Sequence, residues 1–132
     1  MLYEHRIRIR YGECDMQRVV FNAHYLAYCD DAADCWMRHA LGGDLHDVGF
    51  DCMVKRAEIT WLRGATFGND MVVRLGVTKF GVTSFEVLAE GFINGEEKSF
   101  EANLLYVSTA PGEAKATPVP AFVREKLGAY SR

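Results

Sequence analysis

The pattern of apolar and polar positions separates one helical segment from several strand-like segments. Between residues 23 and 41, apolar side chains recur at spacings of three and four, which predicts a helix with one buried face. That face contains Tyr25, Cys29, Ala32, Trp36 and Ala40. Gly42 and Gly43 follow directly, and glycine commonly ends helices because it adopts left-handed backbone angles. We therefore expect one long helix over residues 23–41.

A period of two, which is typical of half-buried strands, replaces the helical period in most of the remaining chain. This alternation predicts five strands, over residues 2–14, 53–62, 71–80, 82–93 and 97–109. Asn94-Gly95 is a strong signal for a hairpin between the last two strands. Residues 15–22 form an irregular turn into the helix, residues 42–51 have the composition of a connecting loop, and residues 121–130 form a short terminal helix.

The order of these elements predicts an α+β domain. About five antiparallel strands can form a sheet with one face covered by the long helix, which buries the apolar surfaces of both. A chain of 132 residues is long enough to bury roughly two-thirds of its unfolded surface. No internal repeat or shift in composition divides the sequence, so we expect residues 1–132 to form a single domain.

Composition and charge narrow the classes of function. Apolar residues make up 49% and charged residues 25% of the chain, as in soluble globular proteins. The formal net charge of −3 argues against general nucleic-acid binding, which needs a dominant basic surface. No stretch approaches the roughly 18 apolar residues of a membrane span. The four cysteines lack metal-site spacing and the sequence shows no signal-peptide pattern, so we expect reduced thiols in the cytoplasm.

Asp15 is the strongest candidate for chemistry because it lies between the first strand and the long helix. Asn22 is a favourable helix N-cap, and a helix start offers unpaired backbone N–H groups and the positive end of the helix dipole. A carboxylate beside such donors can act on a carbonyl group whose oxygen the donors stabilise. The pair predicts a site suited to acyl transfer, although an Asp before a helix also serves as an ordinary turn residue.

The sequence YGECD, followed by VVFNAHYL, resembles the active-site segment of hotdog-fold acyl-CoA thioesterases of the 4-hydroxybenzoyl-CoA thioesterase family. The resemblance implies that Asp15 carries catalysis, as a nucleophile or a general base. It also implies that the backbone N–H of Asn22 polarises the thioester carbonyl. Arg18 stands where many relatives have Gly, and Asn22 stands where they often have an aromatic residue or His.

The same resemblance implies a fold, an assembly and a class of substrate. In the hotdog fold the sheet curls around the helix, and two subunits join their sheets edge to edge. We therefore expect a homodimer or a dimer of dimers, with the active site at the interface between subunits. The expected substrate is an acyl-CoA or an acyl carrier protein thioester, and water is the only co-substrate, with no cofactor or metal.

Several other residues are candidates for substrate binding, and each of them could instead have an ordinary structural role. His24 is close enough to the expected oxyanion site to position a water molecule, and Tyr25 follows it on the helix. Relatives hold the CoA nucleotide on basic residues, for which the candidates here are Lys55, Arg56, Arg74 and Lys79. Thr83 and Ser84 open the predicted strand that, in the family, lies near the pantetheine arm and the thioester.

Other functions have weaker support in the sequence. A hotdog dehydratase or hydratase needs a His-centred motif that the chain lacks, and a non-catalytic acyl-CoA-binding protein would not need Asp15.

Cys14 is adjacent to Asp15, but neighbouring strand residues point to opposite faces, which predicts a core role for Cys14. The G-x-S-x-G elbow of serine hydrolases is absent. His5 and His46 show no companion ligands in the sequence, so no metal site is expected.

Overall fold

The computed structural model describes residues 1–132 and shows an antiparallel sheet wrapped around one long helix. The strands are β1 (Tyr3–Arg8), β2 (Asp51–Trp61), β3 (Asp70–Phe80), β4 (Ser84–Ile93) and β5 (Glu97–Thr109). The helices are α1 (His24–Leu41), α2 (Leu45–Val48) and α3 (Ala121–Gly128). The predicted α+β fold class is confirmed. No helix in the chain has the length and apolar character that crossing a membrane requires.

The sheet has the strand order β1-β3-β4-β5-β2, and every neighbouring pair is antiparallel. The middle of the sheet follows chain order, whereas β1 and β2 occupy its two edges. The predicted hairpin between β4 and β5 is confirmed, since Asn94 and Gly95 have φ values of +53° and +79°. These left-handed angles reverse the chain, and Asn and Gly adopt them at the lowest cost.

The core lies between α1 and the sheet. Trp36, Cys29 and Ala32 on the apolar face of α1 are fully buried. They belong to one apolar cluster with inward residues of the sheet, such as Leu75 on β3 and Phe85 on β4. Burial of one large apolar side chain contributes about 1.5–3 kcal/mol. This packing therefore fixes α1, and the segment that leads into it, against the sheet.

The edge strand β2 remains largely open to solvent. Met53, Val54 and Trp61 along it are 52%, 40% and 52% exposed. The pairing with β5 shifts register between Val54 and Arg56, which makes Lys55 a β-bulge. A bulge increases the local twist and redirects side chains. An exposed edge with apolar side chains is a typical surface for pairing with another chain.

The segment between β1 and α1 is more irregular than the sequence predicts. β1 ends at Arg8 instead of continuing to residue 14, and a short 3-10 turn (Tyr11–Glu13) follows it. The N-cap of α1 is Ala23, so the predicted N-cap role of Asn22 is wrong. Apolar and polar residues still alternate after Arg8, but the chain has left the sheet, and pattern alone does not register that departure.

Two further boundaries differ from the prediction. The predicted loop over residues 42–51 contains α2, whose first turn is capped by Asp44, because the carboxylate accepts a hydrogen bond from the N–H of His46 at 3.0 Å. β4 begins at Ser84, so Thr83 lies in the preceding turn instead of on the strand. The short helix α2 follows from the capping carboxylate of Asp44. The later start of β4 follows from the tight turn in which the N–H of Gly81 donates to the carbonyl of Ser84 at 2.7 Å.

Candidate active site

A small antiparallel loop between β1 and α1 presents Asp15. The N–H of Phe21 donates to the carbonyl of Glu13 at 3.0 Å, and the N–H of Asp15 donates to the carbonyl of Val19 at 3.0 Å. The N–H of Arg18 closes the tip by donating to the carbonyl of Asp15 at 2.9 Å. Both backbone groups of Asp15 are therefore used, and the residue is held in a fixed position.

Arg18 adopts a left-handed conformation at the tip of this loop, with φ of +64°. Glycine adopts such angles without steric cost, whereas other residues lose about 1–2 kcal/mol. This geometry explains why a Gly is common at the matching position of the resembled family. Arg18 is held there in part by its carbonyl, which accepts a 2.6 Å hydrogen bond from the hydroxyl of Thr66.

The Asp15 carboxylate has one free oxygen. Its Oδ1 accepts a hydrogen bond from the N–H of Gln17 at 2.8 Å, whereas Oδ2 has no hydrogen-bond partner within the chain. No Lys, Arg or His forms an ion pair with it. The side chain is exposed, so Oδ2 can reach a substrate or a water molecule.

An open cleft of about 420 Å³ surrounds Asp15. Its walls are Tyr11, Cys14, Asp15, Met16, Arg18 and Phe67. Asp15 is the only carboxylate among them, and most of the other lining side chains are apolar. The rings of Tyr11 and Phe67 pack at a centroid distance of 5.2 Å, while Met16 is 98% exposed. The cleft thus combines one acid, Asp15, and one basic residue, Arg18, with an apolar surface.

Cys14 lines this cleft together with Asp15, which corrects the expectation that the two residues face opposite sides. The expectation assumed a strand, but these residues lie beyond β1, where alternation no longer applies. The Sγ atom of Cys14 makes only a 3.9 Å contact with the carbonyl of Arg10, and the residue is half-buried against the core. No histidine lies on the cleft wall to activate a thiolate.

The start of α1 supplies free backbone donors. The N–H groups of Asn22 and Ala23 make no hydrogen bond within the chain, whereas the N–H of His24 donates to the carbonyl of Phe21 at 2.8 Å. Ala23 cannot cap the helix with its side chain, so the positive end of the helix dipole is not compensated by a local acceptor. Asn22 follows the loop that carries Asp15, which places the predicted acid and the predicted donor on one connected segment.

Glu13 anchors this segment to α1, a role that the sequence did not indicate. Its carboxylate accepts hydrogen bonds from the hydroxyl of Tyr28 at 3.0 Å and from the N–H of Arg10 at 2.8 Å. Burial, together with the hydrogen bond to Glu13, raises the pKa of the Tyr28 hydroxyl above its ordinary value. Tyr28 therefore stays a neutral donor at physiological pH and keeps the loop in place.

The two candidates at the helix start have different environments. His24 is half-buried, with its ring edge against Phe21 at a centroid distance of 6.3 Å. Tyr25 is 2% exposed, and its hydroxyl accepts a 3.3 Å hydrogen bond from the N–H of Ala65. His24 therefore remains near the surface, whereas Tyr25 is part of the core and not of the cleft wall.

The predicted cations lie on other strands, and none lines the cleft of the same chain. Arg56 contacts Glu86 at 3.4 Å, and Arg74 contacts Glu4 at 2.9 Å, so both guanidinium groups are engaged. Arg74 also lies 4.5 Å above the ring of Phe92. Lys55 and Lys79 form no ion pair and do not line the cleft. The two hydroxyl candidates, Thr83 and Ser84, also lie apart from the cleft.

Sequence reasoning missed most of the apolar wall. Tyr11 and Met16 flank the recognised acid, and their proximity to Asp15 in the sequence was the available signal. Phe67 comes from the loop between β2 and β3, and no local pattern connects that loop to the segment before α1. Only the packed fold brings these residues together.

An antiparallel five-stranded sheet around a single long helix is the hotdog fold. A thioesterase superfamily protein from Jannaschia sp. has a similar structure, with 20% identity, a TM-score of 0.91 and coverage of 99% of this chain and 94% of that chain. The 1,4-dihydroxy-2-naphthoyl-CoA thioesterase from Synechocystis has 19% identity, a TM-score of 0.84 and coverage of 96% of both chains.

A thioesterase from Thermus thermophilus, complexed with coenzyme A and Zn, is also similar, with 23% identity, a TM-score of 0.81 and coverage of 94% of this chain and 95% of that chain. A search of curated proteins finds no significant match. The family model of the thioesterase superfamily matches residues 17–99, which include Asn22 and begin two residues after Asp15. The chain belongs to the thioesterase superfamily.

Proposed function

We propose that this protein hydrolyses the thioester of an acyl-CoA, or of an acyl carrier protein, to a free acid and a thiol. One observation carries the proposal: Asp15 is the only carboxylate on the cleft wall, and one of its oxygens has no partner within the chain. The free N–H groups at the start of α1 support it. A thioester carbonyl needs donors of this kind where negative charge develops during attack.

Asp15 can cleave the thioester by either of two routes. As a nucleophile, its free oxygen bonds to the carbonyl carbon, the carbon–sulfur bond breaks, and the departing thiolate takes a proton from solvent. Water then hydrolyses the mixed anhydride and restores the carboxylate. As a general base, Asp15 takes a proton from a water molecule whose oxygen attacks the same carbon, the carbon–sulfur bond breaks, and Asp15 returns the proton to the departing thiolate. In both routes the backbone N–H of Asn22 donates to the carbonyl oxygen.

A second subunit completes the proposed site. Met16, beside Asp15, is 98% exposed, and the edge strand β2 leaves Met53 and Trp61 more than half exposed. Large apolar side chains that are open to water favour burial by a partner. The proposed active form is a homodimer, or a dimer of such dimers, in which β2 strands pair and the acyl group lies between subunits.

Lys55 and Lys79 are the better candidates for holding the CoA phosphates. Neither lysine is held by a carboxylate, whereas Arg56 and Arg74 are already paired. Lys55 also occupies the bulge of β2, which redirects its side chain at the proposed interface. Hydrogen bonds to the substrate come from His24, Thr83 and Ser84. The proposed hydrolysis takes place in the cytoplasm and needs no metal or organic cofactor.

Release of free thiol from a panel of thioesters tests this proposal. The panel contains aromatic, branched and long-chain acyl-CoAs and one acyl carrier protein thioester. Hydrolysis predicts one equivalent of thiol and one of free acid from at least one member. A dehydratase or hydratase would alter the acyl chain without releasing thiol, and a binding protein would return the thioester unchanged. Either of the last two results overturns the proposal.

A further inference from the structure

A histidine, a carboxylate and a cysteine meet between β1 and α1, outside the cleft that contains Asp15. Asp31 and Cys35 lie four residues apart on α1, so they share one helix face, and His5 reaches them from β1. The Nε2 atom of His5 is 2.9 Å from Oδ2 of Asp31 and 3.9 Å from Sγ of Cys35. The three atoms lie within 4.8 Å of one another.

This cluster corrects the expectation that His5 has no companion ligands. The companions are 26 and 30 residues away in the sequence, so no short ligand motif could reveal them. They become neighbours because β1 occupies the edge of the sheet next to α1. His46, at the surface, contacts Asp51 at the same 2.9 Å but has no third ligand atom within reach.

We propose that His5, Asp31 and Cys35 form a Zn²⁺-binding site in which a water molecule is the fourth ligand. Imidazole nitrogen, thiolate sulfur and carboxylate oxygen are the donors that Zn²⁺ takes in proteins. A tetrahedral zinc with ordinary bond lengths separates the nitrogen from the oxygen by about 3.4 Å and from the sulfur by about 3.6 Å. The observed 2.9 Å and 3.9 Å differ little from these separations, so small rotamer changes admit the ion.

The geometry distinguishes a metal site from a catalytic relay. A Cys–His–Asp relay needs the cysteine at one ring nitrogen and the carboxylate at the other, so that a proton can pass across the imidazole. Here Asp31 and Cys35 both face Nε2 of His5. Convergence of two anionic ligand types on one nitrogen is the arrangement that a shared cation stabilises.

Charge and exposure also suit a divalent cation. The Cys35 thiolate and the Asp31 carboxylate together carry two negative charges, which Zn²⁺ neutralises, and the thiol proton leaves to solvent on binding. The nearby Arg38 does not compete, because Asp34 and Asp44 engage it at 3.1 Å and 3.3 Å. The side chain of Asp31 is 57% exposed, which leaves room for the water ligand. The bound ion would tie the edge strand β1 to α1.

Titration of the chelator-treated protein with Zn²⁺, in competition with a chromophoric chelator, tests the site. We expect one equivalent to bind, and Cys35→Ser and His5→Gln each to weaken binding by at least about tenfold, since loss of supporting groups alone costs 10–100-fold. Asp31→Asn changes an exposed side chain, so the variant should fold normally, and it should also weaken Zn²⁺ binding. Co²⁺ in place of Zn²⁺ should give thiolate-to-metal charge transfer that Cys35→Ser removes.

His46→Gln is the matched control, because it breaks a His–Asp pair of the same length that lacks a cysteine ligand. Its Zn²⁺ affinity should equal that of the parent protein. The proposal is overturned if the parent protein shows no saturable binding. It is also overturned if Asp31→Asn and Cys35→Ser bind as tightly as the parent, or if His46→Gln weakens binding as much as they do. None of these readouts depends on thioester hydrolysis.

Discussion

At Asn22, the backbone and the side chain have to be considered separately. The N–H group is free and belongs to the start of α1, whereas the side chain makes no capping hydrogen bond. A sequence comparison weighs only the side chain, and at this position the side chain departs from the resembled family. The donor role that we propose for Asn22 belongs to its backbone N–H, which any residue except proline supplies.

Two substitutions of Asn22 should therefore differ sharply. Asn22→Ala keeps the N–H, so turnover and stability should remain close to those of the parent protein. Asn22→Pro removes the N–H and should lower kcat by about 10²–10³-fold, as the loss of an oxyanion donor does. Steady-state kinetics with a good substrate measure both effects, and circular dichroism confirms folding.

Ala23→Pro is the control for this pair. Ala23 has φ of −68°, which proline adopts without strain, and its N–H is also unpaired. The Ala23→Pro variant should keep most of the activity if the N–H of Asn22 is the donor. Full turnover by Asn22→Pro would contradict that assignment.

Among the helices and strands, the sequence predicts best those whose apolar residues repeat regularly, because packing against the core requires that repeat. The apolar face of α1 repeats without interruption, and the observed start at His24 is one residue from the prediction. The predicted end of β1 is wrong because apolar and polar residues continue to alternate after the chain leaves the sheet at Arg8. A motif indicates Asp15 as the candidate acid, whereas nothing in the sequence indicates Phe67, because only the tertiary fold brings the loop before β3 to the cleft.

The close contact between β4 and β5 at Gly91 predicts that a larger side chain there destabilises the protein. Gly91 lies opposite Phe100, and a Cβ atom at Gly91 would overlap the phenylalanine ring. Gly91→Ala should lower the free energy of unfolding by about 1–3 kcal/mol, the usual cost of overpacking a core. Urea denaturation measures this change. Gly12→Ala, where the added methyl meets open space, should change stability far less, and equal effects would contradict the packing argument.

Glu90 connects β4 to β5 and to the C-terminus. Its carboxylate contacts Lys98 at 2.7 Å and also pairs with Arg132. Burial alone raises the pKa of Glu90, but the hydrogen bond from Lys98 and the charge of Arg132 outweigh it, and the net pKa is below its ordinary value of 4.5. A depressed pKa contributes stability above the ordinary value, and this contribution is lost as the pH falls through the folded-state pKa.

The consequence is a pH-dependent difference between the parent protein and Glu90→Gln. At neutral pH the variant should be less stable, because the ion pairs are lost. As the pH falls below 4.5, the stability of the parent should decline more steeply and the difference should narrow. Denaturant titrations across this range measure it. A constant difference at all pH values would contradict the assigned pKa direction.

For the whole molecule, the open edge at β2 predicts assembly. Light scattering at micromolar concentration should show at least a dimer, because exposed apolar residues on an edge strand favour pairing. Trp61→Lys places a charge on β2, where the parent side chain is 52% exposed, and should shift the protein towards monomer with a loss of activity. Val82→Lys, at a 72% exposed position in the turn before β4, is the control and should leave assembly unchanged. A monomeric, fully active parent protein would contradict the shared site.

The most direct test of the central claim is the turnover number of Asp15→Asn. An asparagine can still accept the hydrogen bond from the N–H of Gln17, so the loop should keep its shape while it loses the nucleophile or base. We expect kcat to fall by about 10²–10⁴-fold with folding intact. Asp47→Asn, an exposed change on α2, should have no effect. Parent-like turnover by Asp15→Asn on a good substrate would contradict the claim that Asp15 carries the reaction.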